Sequence, residues 1–350
     1  MVLKFSNLPQ LYHHTFDTVI DVRSPAEFAE DHMPGAINLP VLDNEERARV
    51  GTIYVQQSPF LARKLGAALV FRNAANHIEN SLSHHAGDWQ PLVYCWRGGQ
   101  RSGSFSWMLQ QIGWRADVVD GGYRSYRRLV KQFLYDDPLP YRLVALDGYT
   151  GTAKTDLLAH LRTAGAQILD LEGLANHRGS LLGEMPGGQP GQKAFESALA
   201  AAFCALDPAL PVVVEAESSK IGSLILPPSL WAALRAAPRI RINASIEART
   251  AYLVSAYDDI LSDRDRLRDR LSPLRFHRGH EVVDGWLALM EAGDKPGLTQ
   301  ALMEQHYDPA YAKSRRAQRA EVIAQINASS LDDAGLSETA ARIAKVLDQL

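Results

Sequence analysis

The sequence predicts an α/β protein in which an N-terminal parallel-sheet domain precedes a second α/β domain with a helical C-terminal part. The chain has 350 residues, which is long for one compact domain and sufficient for two hydrophobic cores. Short β-branched segments alternate with helical patterns, as expected for parallel strands joined by helices. An acidic, proline-containing segment interrupts this alternation, which then resumes.

The N-terminal domain is predicted to span residues 1–130. A β-branched run at 18–22 leads into a helix that begins after Ser24, a residue type typical of helix N-caps. The same strand-to-helix order recurs further along, which indicates a parallel sheet. The remaining predicted elements are a strand at 92–94, a helix at 104–112, a strand at 116–119 and a long helical stretch between 39 and 90.

A linker is predicted at 131–141, where two acids and two prolines follow one another closely. The second domain is predicted at 142–312. Residues 313–350 are predicted to form a helical C-terminal segment, with Ser337 as the N-cap of its terminal helix. The predicted elements of the second domain are strands at 142–146, 167–171 and 211–214 and a helix at 153–163.

The composition narrows the class of protein. With 46% hydrophobic residues, 22% charged residues and a net charge of -3, neither a disordered chain nor a uniformly basic nucleic-acid binder is indicated. No apolar run approaches the length of a membrane span and no secretory signal is visible, so we expect a cytoplasmic protein without membrane contact. Cys95 and Cys204 lack the spacing of a disulfide framework or a zinc site.

Cys95 opens a strand-to-helix loop and is the first candidate for chemistry. The loop reads Cys-Trp-Arg-Gly-Gly-Gln-Arg-Ser over 95–102, and its backbone N–H groups can turn toward the sulfur. The dipole of the following helix and Arg101 would favour the thiolate, which is the nucleophilic form. A buried structural cysteine is the alternative. The anion-binding residues predicted in this loop are Arg97, Gly98 and Gly99.

A second strand-to-helix loop has the pattern of a phosphate-binding loop. Residues 148–155 read Gly-Tyr-Thr-Gly-Thr-Ala-Lys-Thr, and the N–H groups of such a loop cradle a diphosphate. Lys154 would place a positive charge at the terminal phosphate, and Thr155 would be a ligand of Mg²⁺. Ala153 stands where the usual pattern has glycine, and its methyl group is tolerable if φ is negative. The predicted binding residues are Gly148, Thr150, Gly151, Thr152, Ala153, Lys154 and Thr155.

Two glutamates, Glu215 and Glu217, follow the predicted strand at 211–214. Acids at strand ends near a phosphate loop commonly serve Mg²⁺, so at least one of them is a candidate for that role. The alternative is that both cap the edge of the sheet. For the loop at 148–155, the alternative is a glycine-rich turn that carries a solvated lysine.

Segments upstream of Cys95 distinguish two kinds of cysteine chemistry, since such loops serve both sulfur transfer through a persulfide and phosphate ester hydrolysis. Residues 21–28 and 32–38 read Asp-Val-Arg-Ser-Pro-Ala-Glu-Phe and His-Met-Pro-Gly-Ala-Ile-Asn, which closely resembles the rhodanese signature. Tyr94 stands where a phosphatase usually has histidine. The resemblance implies a rhodanese-like first domain in which Asp21 and Arg23 are structural.

A rhodanese-like domain followed by a P-loop NTPase-like domain resembles the bacterial tRNA 2-selenouridine synthase family. The most distinctive segment is 170–180, which reads Asp-Leu-Glu-Gly-Leu-Ala-Asn-His-Arg-Gly-Ser. The departures are Ala153 and Gly191, the latter where a serine is expected. Further segments that carry the resemblance are 189–192 with Phe195 and Glu196, 217–218 with Ile221 and Gly222, and 306–309 with Tyr311.

The resemblance implies a two-step exchange on tRNA that bears 2-thiouridine at the wobble position. Geranyl diphosphate would first alkylate the sulfur, and Lys154 with the loop amides would stabilise the departing diphosphate. Selenium from selenophosphate would then replace the geranylthio group, with Cys95 accepting the selenium or presenting it to C2. No tightly bound cofactor is expected, and Mg²⁺ is a candidate. His177, Arg178 and Glu217 are candidate binding residues, although a lone histidine is more often structural.

Two basic stretches are candidates for contact with tRNA phosphates. Six arginines between 264 and 278 are interleaved with aspartates, so a solvated helix face with internal ion pairs is an equal interpretation. The second stretch lacks such neighbours and is the better phosphate contact. It comprises Lys313, Arg315, Arg316 and Arg319.

Two other functions stay open at this point. One is a P-loop kinase or NTPase with a regulatory rhodanese module, in which Cys95 would be a sensor. The other is a sulfur carrier or tRNA-binding adaptor, which would leave bound tRNA chemically unchanged. Triphosphate turnover without tRNA would favour the first of these.

Overall fold

The structure is a computed structural model that describes residues 1–317 and 320–350, without the side chains of 314–317. It divides into two compact units, each with its own parallel sheet, which confirms the predicted α/β fold class. The first unit comprises Met1–Pro138 with Pro190–Ala205, and the second comprises Leu139–Gln189 with Leu206–Leu350.

The strands are short and mostly parallel. In chain order they are β1 (Val2–Leu3), β2 (Thr18–Asp21), β3 (Ile37–Asn38), β4 (Pro91–Tyr94), β5 (Asp117–Val119), β6 (Arg142–Gly148), β7 (Gln167–Leu169), β8 (Pro211–Glu215), β9 (Lys220–Ile221), β10 (Leu224–Ile225), β11 (Arg239–Asn243) and β12 (Val322–Asn327).

Helices surround both sheets. In chain order they are α1 (Leu8–Tyr12), α2 (Pro25–Glu30), α3 (Asn44–Gln56), α4 (Pro59–Asn80), α5 (Gln100–Ile112), α6 (Gly122–Lys131), α7 (Lys154–Thr163), α8 (Leu171–Ala175), α9 (Gln192–Cys204), α10 (Pro228–Ala236), α11 (Ile246–Ala256), α12 (Asp258–Leu261), α13 (Arg264–Leu271), α14 (Arg275–Arg278), α15 (His280–Ala292), α16 (Lys295–Leu302), α17 (Asp308–Ala317) and α18 (Asp333–Leu347). Short π-helical turns follow α6 at Gln132–Asp136 and α16 at Met303–Tyr307.

The sheet of the first unit has the strand order β1-β5-β4-β2-β3, with every neighbouring pair parallel. Ser24 caps α2 in a capping box with Glu27, as the sequence predicts. The long helical stretch predicted between 39 and 90 forms two consecutive helices, α3 and α4, which pack on each other. The core of this unit includes Ile20, Leu69, Val93, Phe105, Leu109 and Trp114.

The sheet of the second unit has the strand order β12-β11-β6-β8-β7, again with parallel neighbours. The strand β6 lies at its centre, and the phosphate loop follows the C-terminal end of that strand. Helices α7 and α18 pack together over the sheet. The core includes Val144, Leu157, Val213, Ile240, Leu336 and Ile343.

Helix α9 corrects the predicted domain division, which placed residues 142–312 in one continuous domain. This helix belongs to the first unit. Its apolar residues Phe195, Leu199 and Phe203 are buried, and Glu196 pairs with Arg127 of α6. Burial of that apolar face is the physical reason why the helix packs in the first unit, although the residues before and after it in the chain belong to the second.

The C-terminal residues 313–350 also differ from the predicted helical segment. They contribute β12, which pairs in parallel with β11 and completes the sheet of the second unit. The terminal helix begins earlier than predicted, because Asp332 rather than Ser337 is its N-cap: the Asp332 carboxylate accepts the Gly335 N–H at 2.9 Å.

Helices α12 to α16 form a smaller core of their own beside the second sheet. Trp286 lies at the centre of this core, where its Nε1 donates to Gln305 at 2.9 Å. Other buried members are Ile260, Leu267, Leu271, Val283 and Leu302.

Within the described residues, no helix combines the length and the apolar character needed to cross a lipid bilayer.

Candidate active site

The cysteine loop follows β4 and leads directly into α5. Cys95 is buried, and the Ser102 hydroxyl on the first turn of α5 donates to its sulfur at 3.2 Å. The Cys95 carbonyl accepts the Tyr123 N–H at 2.8 Å. Gly122 lies so close that a Cβ there, already strained at φ 56°, would stand 2.2 Å from the Cys95 oxygen. These contacts fix the backbone at Cys95, and one of them reaches the sulfur atom.

Ser102 is a site residue that sequence reasoning missed as a partner of Cys95. The signal was a hydroxyl residue one turn into the helix that follows the loop. Arg97 and Gly99 are exposed at the loop, and Gly98 has a positive φ of 63°. The predicted anion-binding function of these three residues stays a prediction.

Arg101 has a different neighbour from the one expected. Its guanidinium lies 2.9 Å from the Glu27 carboxylate. Burial by itself would raise the pKa of Glu27, but the hydrogen bond and charge of Arg101 hold this pKa below its usual value. Because Glu27 already balances the charge of Arg101, the predicted effect of Arg101 on the Cys95 thiolate is weakened.

Asp21 and Arg23 support the loop from beneath. Arg23 is almost completely buried and forms an ion pair with Asp21 at 2.6 Å, while the same nitrogen donates to the Asp31 carbonyl at 2.6 Å. Its guanidinium carbon lies 3.9 Å from the centre of the Tyr123 ring. These contacts confirm the structural role predicted for both residues.

The phosphate loop connects β6 to α7 and is held at several atoms. Lys154 Nζ donates to the Gly148 carbonyl at 3.2 Å, and Thr152 Oγ1 donates to the Tyr149 carbonyl at 2.8 Å. Arg249 on α11 donates to the Thr150 carbonyl at 2.8 Å. A bidentate ion pair with Asp308, at 3.0 and 2.6 Å, fixes that guanidinium. Sequence reasoning did not identify Arg249, because its partners are distant in the chain.

Ala153 has φ 53° and ψ 37°, the left-handed conformation that favours glycine. Its methyl group was expected to be tolerable if φ were negative, and this condition is not met. A non-glycine residue in this conformation costs about 1–2 kcal/mol. The loop therefore holds an alanine in a conformation that favours glycine, and the protein stores that strain.

This strain predicts the effect of Ala153→Gly. We expect the variant to be at least as stable as the parent, because the relief of backbone strain offsets the larger entropy of an unfolded glycine. The matched control is Ala159→Gly, at an exposed position inside α7, which should lose about 1 kcal/mol. Denaturant unfolding of both variants measures the difference, and an equal loss in both would refute the strain at Ala153.

Three carboxylates surround Thr155 and Lys154. The Thr155 hydroxyl lies 3.1 Å from Glu172 and 3.1 Å from Glu215, and can donate to one of them at a time. Burial alone would lower the pKa of Lys154, but Tyr311 and the nearby glutamates raise it, so the lysine is a cation. Glu172 was quoted in the distinctive segment without a site role, so its position is new information from the structure.

Glu215 and Glu217 have strongly raised pKa values. Burial, followed by repulsion from Glu172, raises the pKa of Glu215 to about 8. Burial and the same neighbour raise the pKa of Glu217 well above its usual value, which favours its protonated form, and a hydrogen bond joins Glu217 to Glu172. Glu215 also accepts the Leu171 N–H at 3.1 Å, which ties it to the sheet edge.

The raised pKa of Glu215 predicts a pH dependence of stability. The folded state holds this proton up to about pH 8, whereas the unfolded carboxyl has a pKa of 4.5, so stability should fall between these values as pH rises. In Glu215→Gln this contribution is absent. Denaturant unfolding at pH 5 and pH 9 should show a smaller loss for the variant, and an equal loss in both proteins would contradict the assignment.

These oxygen atoms fit a magnesium ion only together with a phosphate. Among the residues that the structure describes, no three His, Cys, Asp or Glu side chains are arranged to hold a metal by themselves. Mg²⁺ commonly takes one or two protein oxygens and completes its shell with phosphate oxygens and waters. The Thr155 hydroxyl with the Glu172 carboxyl group supplies that kind of set, and Glu215 would have to release its proton to join it.

A cavity of about 430 Å³ lies over the phosphate loop. Arg178 is part of its wall, where it forms an ion pair with Asp259 at 3.0 Å and lies 4.8 Å from the Tyr257 ring centre. Tyr311 faces the loop lysine, with Lys154 Nζ 5.6 Å from its ring centre. The cavity thus has a floor that carries the cationic Lys154 and walls rich in aromatic side chains. Its lining includes Lys154, Thr155, Arg178, Tyr252, Tyr257 and Tyr311.

A polar groove of about 840 Å³ adjoins this cavity and shares Gly179, Ser180 and Met185 with it. His177 lines the groove, and its Nδ1 accepts the Gly179 N–H at 3.1 Å. Burial lowers the pKa of His177, so the ring is neutral near pH 7. The structure therefore separates His177, at the groove, from Arg178, at the cavity. Other groove residues are Glu184, Gln189, Ser223, Arg266 and Arg270.

The structure tests the interpretation of the first basic stretch but describes only part of the second. Five of the six arginines of the first stretch form ion pairs within the second unit, as the interpretation as an ion-paired surface requires, and Arg278 donates a hydrogen bond to His306. Of these pairs, only that of Arg268 with Asp265 uses one of the interleaved aspartates. In the second stretch only Lys313 has a described side chain, and it is exposed. Arg315, Arg316 and Arg319 lie outside the described residues or side chains, so their contact with RNA stays a prediction. The pairs of the first stretch are Arg264–Glu291, Arg266–Glu184, Arg268–Asp265, Arg268–Glu291, Arg270–Glu184, Arg275–Asp284 and Arg278–His306.

Comparison with known proteins agrees with this geometry. Residues 7–129 match the rhodanese-like domain, and residues 141–268 match the tRNA 2-selenouridine synthase AAA domain. A protein named tRNA 2-selenouridine synthase from Alcanivorax borkumensis is 35% identical, over 88% of this chain and 95% of its own. The chain belongs to the tRNA 2-selenouridine synthase family. The cysteine loop lies within the first matched region and the phosphate loop within the second.

Two further relatives with the same name have similar extent. The protein from Hahella chejuensis is 34% identical over 86% of both chains. The protein from Cupriavidus pinatubonensis is 31% identical over 93% of this chain and 95% of its own. Because the matches cover both sheets, membership in the tRNA 2-selenouridine synthase family applies to the whole two-unit architecture.

Proposed function

We propose that this chain is a tRNA-modifying transferase that converts wobble 2-thiouridine into 2-selenouridine by way of an S-geranylated base. The names of its relatives support the overall conversion. The single observation that carries the geranyl step is the cavity over the phosphate loop. It joins a diphosphate cradle, with Lys154 and Thr155, to walls of tyrosine and leucine that suit a hydrocarbon group.

In the first step, the sulfur of the base attacks C1 of geranyl diphosphate. The S–C1 bond forms while the C1–O bond breaks, and diphosphate leaves with the bonding electron pair. Lys154 and the loop N–H groups stabilise the charge that develops on the leaving oxygen. Magnesium, when held at Thr155, would neutralise further diphosphate charge. Because the donor is already activated, this step needs no hydrolysis of a nucleoside triphosphate.

In the second step, selenium replaces the geranylthio group at C2 of the base. The selenium comes from selenophosphate, whose P–Se bond is cleaved by water with release of phosphate. The C2–Se bond forms, the C2–S bond breaks and geranylthiolate departs. We assign the handling of selenium to Cys95, because the Ser102 hydroxyl donates to its sulfur and could donate in the same way to a chalcogen anion.

The polar groove beside the cavity suits the nucleoside of the tRNA. It meets the cavity at Gly179 and Ser180, so a base in the groove would have its sulfur directed toward the allylic carbon. Gln189 and Ser223 offer amide and hydroxyl groups for a base edge. The exposed Lys313 and the basic residues that follow it are the proposed phosphate contacts.

The test is mass analysis of nucleosides from 2-thiouridine tRNA incubated with the full chain and each donor in turn. Geranyl diphosphate alone, without ATP, should give the S-geranylated nucleoside, and both donors together should give 2-selenouridine. A tRNA with unmodified wobble uridine is the control and should stay unchanged. Triphosphate hydrolysis with no change in the tRNA would overturn the proposal and favour a kinase or NTPase.

A further inference from the structure

A narrow apolar cleft extends from the phosphate loop into the helical part of the second unit. Thr150 of the loop and Leu253 of α11 line its start. The surface exposed inside it is entirely apolar, and its volume is about 30 Å³. Its other main lining residues are Leu182, Leu261, Leu302 and Met303. Leu302 and Met303 are almost completely buried, so the protein interior closes this cleft.

One helix joins the cleft to the diphosphate cradle. On α11, Arg249 holds the Thr150 carbonyl, and Leu253 follows one turn later on the same face. Leu253 packs directly on the loop, since a Cβ at Gly151 would stand 2.7 Å from its Cδ1 atom. The polar and apolar parts of the site are therefore held by neighbouring side chains of a single element. The side chain of Leu253 would therefore lie next to a ligand whose phosphates are bound by the loop.

The cleft also continues the larger cavity. Tyr257 and Tyr307 line both spaces, as do Thr150, Ser180 and Leu253. Met303 and Tyr307 bound one π-helical turn, a feature that is often found at functional sites. Thr150, Ser180 and Thr299 also line the cleft, but none of their polar atoms is exposed inside it. A ribose and base would need exposed hydrogen-bond partners, whereas an alkyl chain needs none.

We propose that this cleft holds the distal end of the isoprenoid tail of an allylic diphosphate, and that Leu302 and Met303 limit the length of that tail. The inference rests on the proposed geranyl transfer and assigns the residues that select its donor. A space of about 30 Å³ accepts a methyl-sized group at the chain end. It has no room for another five-carbon unit, so a C15 donor is rejected by overpacking against the closed end.

The test compares geranyl and farnesyl diphosphate as donors to 2-thiouridine tRNA, with initial rates measured for the full chain. In Met303→Ala, the ratio of farnesyl to geranyl transfer should rise by about tenfold or more, as expected for added space in an apolar pocket. Leu302→Val is a milder truncation that keeps the test available if Met303→Ala folds poorly, and it should shift the ratio in the same direction.

The matched control is Met290→Ala, since Met290 is buried in the same helical core but does not line the cleft. This variant should leave the donor ratio unchanged. A ratio that stays at the parent value in both Met303→Ala and Leu302→Val, while the parent transfers geranyl, would overturn the tail assignment and leave the proposed function intact. Failure of the parent to transfer either prenyl group would overturn the proposed function itself.

Discussion

Lys154→Ala should reduce geranyl transfer by roughly a hundredfold or more, the scale expected when one preorganised electrostatic contact to a leaving group is removed. Lys154 is the cation of the phosphate loop, and its ammonium is fixed by the Gly148 carbonyl at 3.2 Å. Without it, the departing diphosphate would face the Glu172 carboxyl group with no compensating side-chain charge from the loop. Single-turnover rates of S-geranylation with saturating donor measure the loss.

The control for this variant is Lys345→Ala, which removes an exposed lysine from α18 of the same unit. It should geranylate at the parent rate. Lys154→Arg restores the charge with a different shape and should recover part of the activity. Near-normal geranylation by Lys154→Ala would reassign the loop to a structural role.

Cys95→Ser should block selenium insertion and leave geranylation largely intact. The first step uses the sulfur of the substrate as nucleophile, whereas the second step needs a chalcogen anion in the cysteine loop. A serine hydroxyl stays protonated near pH 7, so the loop would hold no chalcogen anion of its own. With both donors supplied, the variant should therefore accumulate S-geranylated 2-thiouridine, which nucleoside mass analysis would detect.

Cys204→Ser provides a matched control for the second prediction. Cys204 is also buried, but it lies on α9, and burial raises the pKa of its thiol to about 11. Such a thiol is a poor nucleophile, so both steps should proceed in this variant. Selenouridine formation at the parent rate in Cys95→Ser would show that Cys95 does not handle selenium. Loss of geranylation in a folded Cys95→Ser would show that the two steps are not separable in this way.

Much of the fold could be predicted from local patterns, because parallel strands and capped helices leave periodic signals. The strand at 18–22, the helix after Ser24 and the phosphate loop are of this kind. The placement of α9 could not be predicted, because an apolar helix face does not specify which sheet it will cover. The pairing of Glu196 with Arg127 that accompanies this placement joins residues far apart in sequence.

The candidate site shows the same division between local and distant information. The loop residues Cys95 and Lys154 were identified because their motifs are contiguous. Glu172 and Arg249 were not identified as site residues, because they lie outside the loop motif and contact the phosphate loop only in the folded protein. The positive φ of Ala153 was also inaccessible, since the motif specifies a glycine and the sequence gives no sign that the same geometry persists.

In the proposed function, one chain carries out both steps, and the geranylated base is the intermediate between them. The most direct measurement isolates S-geranylated tRNA from the first step, removes geranyl diphosphate, and adds fresh protein with selenophosphate. We expect the geranylated nucleoside to disappear as 2-selenouridine and geranylthiol form in equal amounts. If selenouridine formed from 2-thiouridine tRNA without any geranyl donor, and the geranylated tRNA stayed unreacted, the geranylated base would not be the intermediate.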